Sequence, residues 1–420
     1  MKDNYNLHLE KCKLMISDPS TLIIGIDVSR LKHDVCFGTK DKVLCRKFSF
    51  TNDLFGFIKV EERIKLLCEE HKLKSVLIGM EPTSIYWCAL YEYLKSNGRI
   101  VCLLDPMSVF HNRKTLKKDS GKSDLKDAYA IFDLISQKKF YFTTDDDLST
   151  FAAKLVLKNW MNTQRIIIST KNRTHSFLSL VFPELENKVS EIATKKFLSF
   201  LNKFPTPATI LKLTEENFLD ECTKELKGYK PIELKKIYHF AKDSIGVTLP
   251  NEMGNLIIRK HISDLSNQLE EENVWFQKSN KMVSSSPGYQ RLKKINGLGD
   301  KIITGLMLSL GNYNSFANAT QITKLAGLNL VDKTSGSSVN SPSHISHQGN
   351  HNLRYWAYHG ALHVVKYPGP FKDLFERKKK NSPGNGSGKR AIIAVSDKLV
   401  RVVWAILKKG VDFNIDHKND

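Results

Sequence analysis

The sequence has no Cys-x-x-Cys pair, no long apolar run and no apolar leader at its N-terminus. Its seven cysteines are odd in number and six of them fall in the first quarter of the chain. This distribution indicates reduced thiols and argues against a zinc site or a disulfide framework. No stretch approaches the roughly 18 apolar residues of a membrane span. These absences predict a soluble, cytoplasmic protein.

Acidic residues are in the minority, because 44 Asp and Glu stand against 64 Lys and Arg, which gives a formal net charge of +20. Such a balance favours a polyanionic partner, since Lys and Arg displace the counterions condensed on phosphates. The alternative is a lysine-rich composition without a special partner. The length of 420 residues predicts two or three domains.

The first part of the chain mixes short β-prone runs with helical spacing. The predicted strands are Leu22–Val28, Val35–Phe37, Val43–Phe50, Val76–Gly79 and Ile100–Leu104, and the predicted helices are 53–71, Ser84–Leu94 and Ser123–Ile135. Three consecutive strands followed by alternating helices and strands favour an α/β RNase H-like sheet over residues 20–146.

Four carboxylates stand where such a fold could bring them together. Asp27 ends the first strand, Glu81 follows the fourth strand, and Asp124 and Asp127 share one face of a helix. Gathered carboxylates repel one another unless a divalent cation lies between them, and hard oxygen ligands suit Mg²⁺, with Mn²⁺ as a substitute. Taken singly, each acid would more simply be a turn cap or part of a solvated helix face. Together they predict metal-dependent chemistry on a phosphodiester.

The middle region, residues 147–288, looks almost wholly helical. Its most regular feature is an apolar stripe with alternating four- and three-residue spacing. The stripe consists of Ile258, Ile262, Leu265, Leu269, Phe276 and Val283, with Glu272 and Ser279 as exceptions. A coiled coil, which would imply dimerisation, and a helix packed inside a bundle both explain this spacing.

The C-terminal region, residues 289–412, begins with a pattern typical of a helix-hairpin-helix. In that motif Asn296, Gly297, Gly299 and Lys301 would lie against a nucleic-acid phosphate, near the positive end of the second helix. A plain turn between two helices is the alternative. Arg354, in the next predicted helix, could bind a phosphate through two parallel hydrogen bonds.

A predicted loop over residues 332–350 contains Ser335 beside a glycine. Such a serine can expose its hydroxyl for nucleophilic attack, although Ser-Gly in a loop is usually a turn. Ser337 and Ser338 are competing candidates. The lysine-rich segment Lys378–Arg390 is predicted to be a flexible basic linker before a last helix.

Taken jointly, several motifs resemble those of the DEDD transposases of the insertion sequence 110 type, whose relatives include Piv-like DNA invertases. The motifs are GIDVS, GMEPTSIYW, KSDLKDA, INGLGDKIITGL, LAGL, SG and GNHNLR. The resemblance covers roughly residues 20–140 and 290–365. It implies a RuvC-like domain whose four acidic positions are Asp27, Glu81, Asp124 and Asp127, and a C-terminal transposase domain whose nucleophile is Ser335.

The resemblance also implies an activity and its partners. Members excise and insert a mobile DNA element by strand exchange through a phosphoserine link, with Mg²⁺, in bacterial or archaeal cells. Some are guided by a structured RNA from the element, and assembly as a homodimer or homotetramer is expected. This chain departs from the family pattern at Asn296, where proline is common, at Ser84, where glycine is usual, and at Ser123, which replaces threonine.

Two other functions remain open at the level of sequence. A RuvC-type junction nuclease would use the four acids and water without a serine nucleophile, but it leaves the C-terminal region unexplained. A non-catalytic nucleic-acid-binding protein would need none of the acids.

Overall fold

The structure, a computed structural model, divides into two compact units, Met1–Leu148 and Ser149–Asp420. The described residues are 2–82, 84–116, 124–141, 145–189, 191–226, 228–331, 334–335, 339–340, 344–381 and 383–414. Within these ranges, no helix combines the length and the apolar character needed to cross a membrane.

The first unit is built on a five-stranded mixed sheet. Its strands are β1 (Thr21–Asp27), β2 (Lys32–Gly38), β3 (Val43–Thr51), β4 (Ser75–Met80) and β5 (Ile100–Leu103). Its helices are α1 (Lys2–Ser17), α2 (Leu54–Glu70), α3 (Trp87–Ser96), α4 (Pro106–Leu116) and α5 (Asp124–Ser136). The strand order is β3-β2-β1-β4-β5, with β1 to β3 antiparallel and β1, β4 and β5 parallel. The predicted α/β class of this region is confirmed.

The sheet forms because β1 is apolar on both faces. The side chains from Leu22 to Ile24 and that of Ile26 are fully buried. Helix α5 covers one face through Ala128 and Ile131, which join the same core as Ile23. Buried on both sides, β1 is the rigid centre of the unit, and its last residue is Asp27.

Two helices of this unit, α1 and α4, were not predicted, and α3 begins later than predicted. The sequence suggested a start at Ser84, but the helix begins at Trp87. Ser84 has a φ of 60°, a left-handed conformation that interrupts a helix and that glycine adopts without steric cost. The glycine that is usual at this position in the family would adopt this φ without strain, whereas Ser84 adopts it at a steric cost.

The second unit is mainly helical. Its helices are α6 (Asp145–Val181, from Ser149 onward in this unit), α7 (Pro183–Glu186), α8 (Lys195–Lys203), α9 (Pro207–Ile210), α10 (Glu215–Glu225), α11 (Pro231–Lys242), α12 (Met253–Lys281), α13 (Pro287–Lys293), α14 (Asp300–Leu310), α15 (Ala319–Ala326), α16 (His351–Val364), α17 (Pro370–Asn381) and α18 (Ser387–Lys409). Four two-residue strands lie between α15 and α16. They are β6 (Leu330–Val331), β7 (Thr334–Ser335), β8 (Val339–Asn340) and β9 (His344–Ile345).

Two hydrophobic cores organise this unit. One is formed by residues between Ile167 and Leu265, and the other is dominated by residues between Val283 and Leu407. The apolar stripe of α12 is buried inside the chain, since Ile258, Ile262 and Leu265 belong to the first core. This packing is the bundle alternative raised by the sequence.

Both exceptions in the stripe, Glu272 and Ser279, are buried as well. The Glu272 carboxylate accepts hydrogen bonds from Trp160 Nε1 at 2.8 Å and from Lys301 Nζ at 2.7 Å. Burial alone would raise the pKa of Glu272, but the hydrogen bonds from Lys301 and Trp160 outweigh it and keep that pKa below its ordinary value. Glu272 is thus a buried carboxylate whose hydrogen bonds to Trp160 and to the half-exposed Lys301 link α6, α12 and α14.

The segment Lys378–Arg390 is mostly helical, so its prediction as a flexible linker was wrong. Helix α17 continues to Asn381 and α18 starts at Ser387. Lysine and arginine are good helix formers, and among the described residues between the two helices Gly384 and Gly386 have a positive φ, which interrupts a helix.

Candidate active site

Asp27 lies at the carboxyl end of β1, beside helix α5. The contact between these two elements is very close because residue 25 is glycine. A β-carbon at Gly25 would lie 2.4 Å from Phe132 N and 2.5 Å from the Ala128 carbonyl oxygen. Only glycine therefore lets α5 rest on the backbone of β1, and Asp127, next to Ala128, is brought toward Asp27.

Glu81 reaches the same edge of the sheet from the neighbouring strand. It directly follows β4, which runs parallel to β1 with Met80 opposite Ile26. The residues after these two partners are Glu81 and Asp27. Because parallel strands end at one edge of a sheet, the two carboxylates are neighbours there.

Arg113, on α4, connects two of these acids. Its guanidinium Nε lies 2.9 Å from Asp127 Oδ1, and its terminal nitrogen lies 3.7 Å from Glu81 Oε2. The Arg113 and Asp127 side chains are 27% and 20% exposed, so these ion pairs are only partly screened by water. Arg113 was not among the predicted site residues, because no helix was predicted in this segment.

Asp27 carries the clearest electrostatic signature of the site. Its pKa is raised from 3.8 to about 7, chiefly by burial and then by the negative charge of Asp127, while Arg113 acts in the opposite direction. Weaker repulsion comes from Glu81 and Asp34. A strand-end aspartate in ordinary surroundings would not respond in this way. The site therefore holds more negative charge than Arg113 compensates.

Asp34 is a fifth carboxylate, and it was not among the predicted site residues. It lies directly opposite Asp27 in the β1–β2 ladder and is 5% exposed. Its described ionic partner is Lys32, whose Nζ lies 3.5 Å away. Pairing the two predicted strands across their short connection would have placed residues 27 and 34 side by side, so the signal was present in the hairpin register.

The donor chemistry of this edge fits a hard divalent cation, since every converging acid offers carboxylate oxygens. Among the side chains that the structure describes, no three acidic, histidine or cysteine groups lie close enough to hold one ion. Asp124 opens α5 one turn before Asp127, and its side chain lies outside the described part. Arg113 supplies the positive charge at this edge.

Ser335 lies in a β-hairpin and not in the irregular loop that was predicted. It belongs to β7 and pairs with Val339 of β8, and the base of the hairpin is closed by pairing of β6 with β9. Its side chain is outside the described part, as are residues 336–338 with Ser337 and Ser338.

The predicted helix-hairpin-helix residues join α13 to α14. Gly297 has a φ of 94°, and a β-carbon added to it would lie 2.9 Å from the backbone carbonyl group of His363. Glycine is therefore required at this position. Gly299 is the N-cap of α14 and faces open space. Asn296 is exposed beside it. These three positions leave a phosphate contact possible.

The two cationic residues predicted to bind phosphate have partners within the chain. Lys301 is paired with Glu272, and Arg354 donates through Nη1 to the Ala326 carbonyl oxygen at 2.8 Å, which satisfies the end of α15. Their contact with nucleic acid stays a prediction.

The class of protein is that of DNA recombination enzymes. Residues 24–183 match the family model of the IS110-type DEDD transposases. Residues 289–376 match a second model, that of transposases of the IS116/IS110/IS902 family. The chain therefore belongs to the IS110 family of transposases. The resemblance drawn from its motifs is confirmed.

Relatives extend the similarity to nearly the full chain. The pilin gene-inverting protein of Moraxella lacunata is 22% identical over 403 residues, which is 94% of this chain and 98% of the relative. Its counterpart in Moraxella bovis is 21% identical with the same shares. An uncharacterized 44.8 kDa protein of insertion element IS116 from Streptomyces clavuligerus is 22% identical over 302 residues, covering 69% of this chain and 72% of the relative.

Proposed function

We propose that this transposase excises and inserts a mobile DNA element through a covalent phosphoserine intermediate at Ser335, assisted by a metal-binding acidic site. The observation that carries the proposal is the gathering of Asp27, Glu81 and Asp127 around Arg113. In a transposase family, such a cluster of acids at a sheet edge supports phosphodiester chemistry.

In this proposal Asp27, Glu81, Asp124 and Asp127 hold Mg²⁺, or Mn²⁺ in its place. The bound cation supplies Lewis acidity that offsets the negative charge developing on the phosphate. The unbalanced negative charge around Asp27 supports this role, because a cation would relieve the repulsion that raises its pKa. Without the cation, Arg113 is paired with Glu81 and Asp127 and occupies part of the charge that a cation would neutralise.

The covalent step proposed for Ser335 conserves the phosphodiester bond. The serine hydroxyl oxygen bonds to the phosphorus of one DNA strand, and the bond from phosphorus to a deoxyribose oxygen breaks. The serine proton passes to a carboxylate, and the departing sugar oxygen takes up a proton to become a hydroxyl. Attack by the hydroxyl of another strand reverses the step and joins the new pair. No external energy source is needed.

The partners proposed are the element's DNA ends, its target and a structured RNA transcribed from the element. The net charge of +20 supports binding to either nucleic acid. RNA guidance rests on the family resemblance. Assembly as a homodimer or homotetramer would bring two pairs of strands together, and light scattering with and without DNA measures it.

The test is a covalent-adduct assay with the full-length protein. Supercoiled DNA carrying the element's own junction is incubated with Mg²⁺, with and without RNA from the element's flanks. Wild type is expected to leave protein attached to DNA, with phosphoserine at position 335. Ser335→Ala and Asp27→Ala are expected to lose the adduct, whereas Ser337→Ala and Ser338→Ala are matched serine controls that retain it.

Different results would point to specific alternatives. Cutting by Ser335→Ala without any adduct would refute the serine role and favour a RuvC-type junction nuclease that uses water. Phosphoserine at position 337 or 338 would move the nucleophile within the hairpin. Absence of cutting and of any adduct in wild type, with nucleic-acid binding unchanged after loss of all four acids, would leave only a nucleic-acid-binding role.

A further inference from the structure

A cavity of about 200 Å³ opens in the second unit at the base of the serine-bearing hairpin. Its floor is apolar and is formed by Leu328, Ile345 and Ile393. Ile345 belongs to β9, which pairs with β6, and the chain between these two strands carries Ser335. The cavity thus lies where the hairpin joins the helical core.

The rim of the cavity is polar, aromatic and basic. It includes His347, His351 and Lys389 together with the rings of Tyr355 and Tyr358. Among the described residues that line it, none is acidic. A cavity with an apolar floor, aromatic walls and a cationic rim is suited to a flat ring that carries a negative group.

The walls are held in place by the backbone around them. His347 has a φ of 56°, and its amide donates to the Gly327 carbonyl oxygen at 3.2 Å. The preceding residue, Ser346, donates its amide to the Asn329 carbonyl oxygen and its hydroxyl to Asn329 Oδ1. A residue other than glycine persists in a left-handed conformation only where its surroundings determine it, and such residues cluster at ligand sites.

The size of the cavity limits what it can hold. A buried cavity of ~150 Å³ accommodates a benzene ring, so a volume of about 200 Å³ admits one nucleobase but not a stacked pair. The phosphate attached to that base would face Lys389 at the rim. Bases lifted out of a stack are bound in this manner, between aromatic or apolar side chains.

We propose that this cavity receives one unstacked nucleobase of the DNA strand that is cut. The proposal rests on the proposed function, because it assumes that a strand reaches Ser335. An extruded base next to the scissile phosphate would fix the strand's register at the hairpin. The cavity then determines which phosphate the serine meets.

The test uses full-length protein and junction DNA in which 2-aminopurine replaces one base at a time through the crossover region. Its fluorescence rises when the base leaves the stack. Wild type is expected to give a rise at one position. Ile393→Trp, which fills the cavity, is expected to abolish that rise and to weaken binding roughly 10–100-fold, the loss of one stacked base.

If Ile393→Trp disturbs folding, substitutions of residues at the rim of the cavity provide a second test. Tyr358→Ala and Lys389→Ala are expected to lower both the fluorescence rise and the affinity, with circular dichroism as the check on folding. Tyr367→Ala is the matched tyrosine control, because Tyr367 is 46% exposed and does not line this cavity.

Two outcomes overturn the inference. One is an unchanged fluorescence pattern in Ile393→Trp and Tyr358→Ala. The other is equal affinity for a strand that is abasic at the responding position, which would assign phosphate contact alone. If Ser335 adducts still form in either case, the proposed function stands while the base cavity does not. Absence of adducts in wild type would refute the proposed function, and the fluorescence result would still be readable.

Discussion

Replacing Asp27 with asparagine is expected to stabilise the metal-free protein at pH 8 and to change it little at pH 4. The buried, repelled carboxyl has its pKa raised from 3.8 to about 7. The folded protein therefore keeps a proton that the unfolded chain has already lost between these values. Stability from this group is greatest below pH 4 and falls until about pH 7.

The size of the effect follows from the same shift. At ~1.4 kcal/mol for each pKa unit, the difference between 3.8 and about 7 gives at most ~4 kcal/mol. Asp27 is not fully buried, so a gain of ~1–3 kcal/mol at pH 8 is expected for Asp27→Asn. Asparagine keeps the shape and a hydrogen-bonding group but never carries the charge that its neighbours repel.

The assay is urea unfolding in a chelator across pH 4–8, followed by the same series with Mg²⁺. Without metal, the difference between Asp27→Asn and wild type should grow as pH rises. With Mg²⁺, wild type should gain stability and the variant should gain less, because one ligand is gone. Asp41→Asn, at an exposed position, is the matched control for loss of one acidic side chain. A difference that is constant from pH 4 to pH 8 would refute the reasoning.

Three further predictions concern the same unit. Arg113→Gln should destabilise the metal-free protein by ~1–2 kcal/mol, because two ion pairs are lost. It should also tighten Mg²⁺ binding in a calorimetric titration, because the guanidinium no longer competes for Glu81 and Asp127. An unchanged Kd for Mg²⁺ would contradict this. Gly25→Ala should cost ~1–3 kcal/mol in urea unfolding and weaken Mg²⁺ binding, because the added methyl group forces α5 off β1. Ser84→Gly should raise stability by up to ~1 kcal/mol by relieving a φ of 60°, and a lower melting temperature would count against that strain.

The sheet could be predicted from sequence because its strands bury their side chains. The runs that became β1, β4 and β5 are apolar, bounded by polar residues and too short for an ordinary helix, which favours strands. Two of the four acids, Asp27 and Glu81, could be placed from the sheet, since each stands at or directly after the end of a predicted strand.

Helix α4 could not be predicted in the same way. It buries Val109 and exposes most of its remaining residues, so it has no apolar periodicity to read. For the same reason, the ion pairs of Arg113 with two of the acids could not be predicted from the sequence. A site residue on a surface helix leaves almost no trace in a single sequence.

The serine hairpin was hidden for a different reason. Its strands are two residues long, and those that carry Ser335 and Val339 sit among small polar residues. Strand prediction depends on alternation over four to eight residues, which this segment does not have. Backbone pairing holds the hairpin where side-chain pattern gives no sign of it.

Because Gly25 has no side chain, helix α5 packs directly on the backbone of β1, and this side of the acidic site is rigid. The other side, formed by helix α4, is held less tightly. With helix α5 resting on the main chain of β1, the spacing between Asp27 and Asp127 cannot adapt by a change of rotamer elsewhere. Helix α4 is instead held through side chains, by Val109 and by Asn112, whose amide donates to Asp133 at 2.9 Å. Any widening of the acidic site is therefore expected to occur on the side of α4, the helix that also carries Arg113.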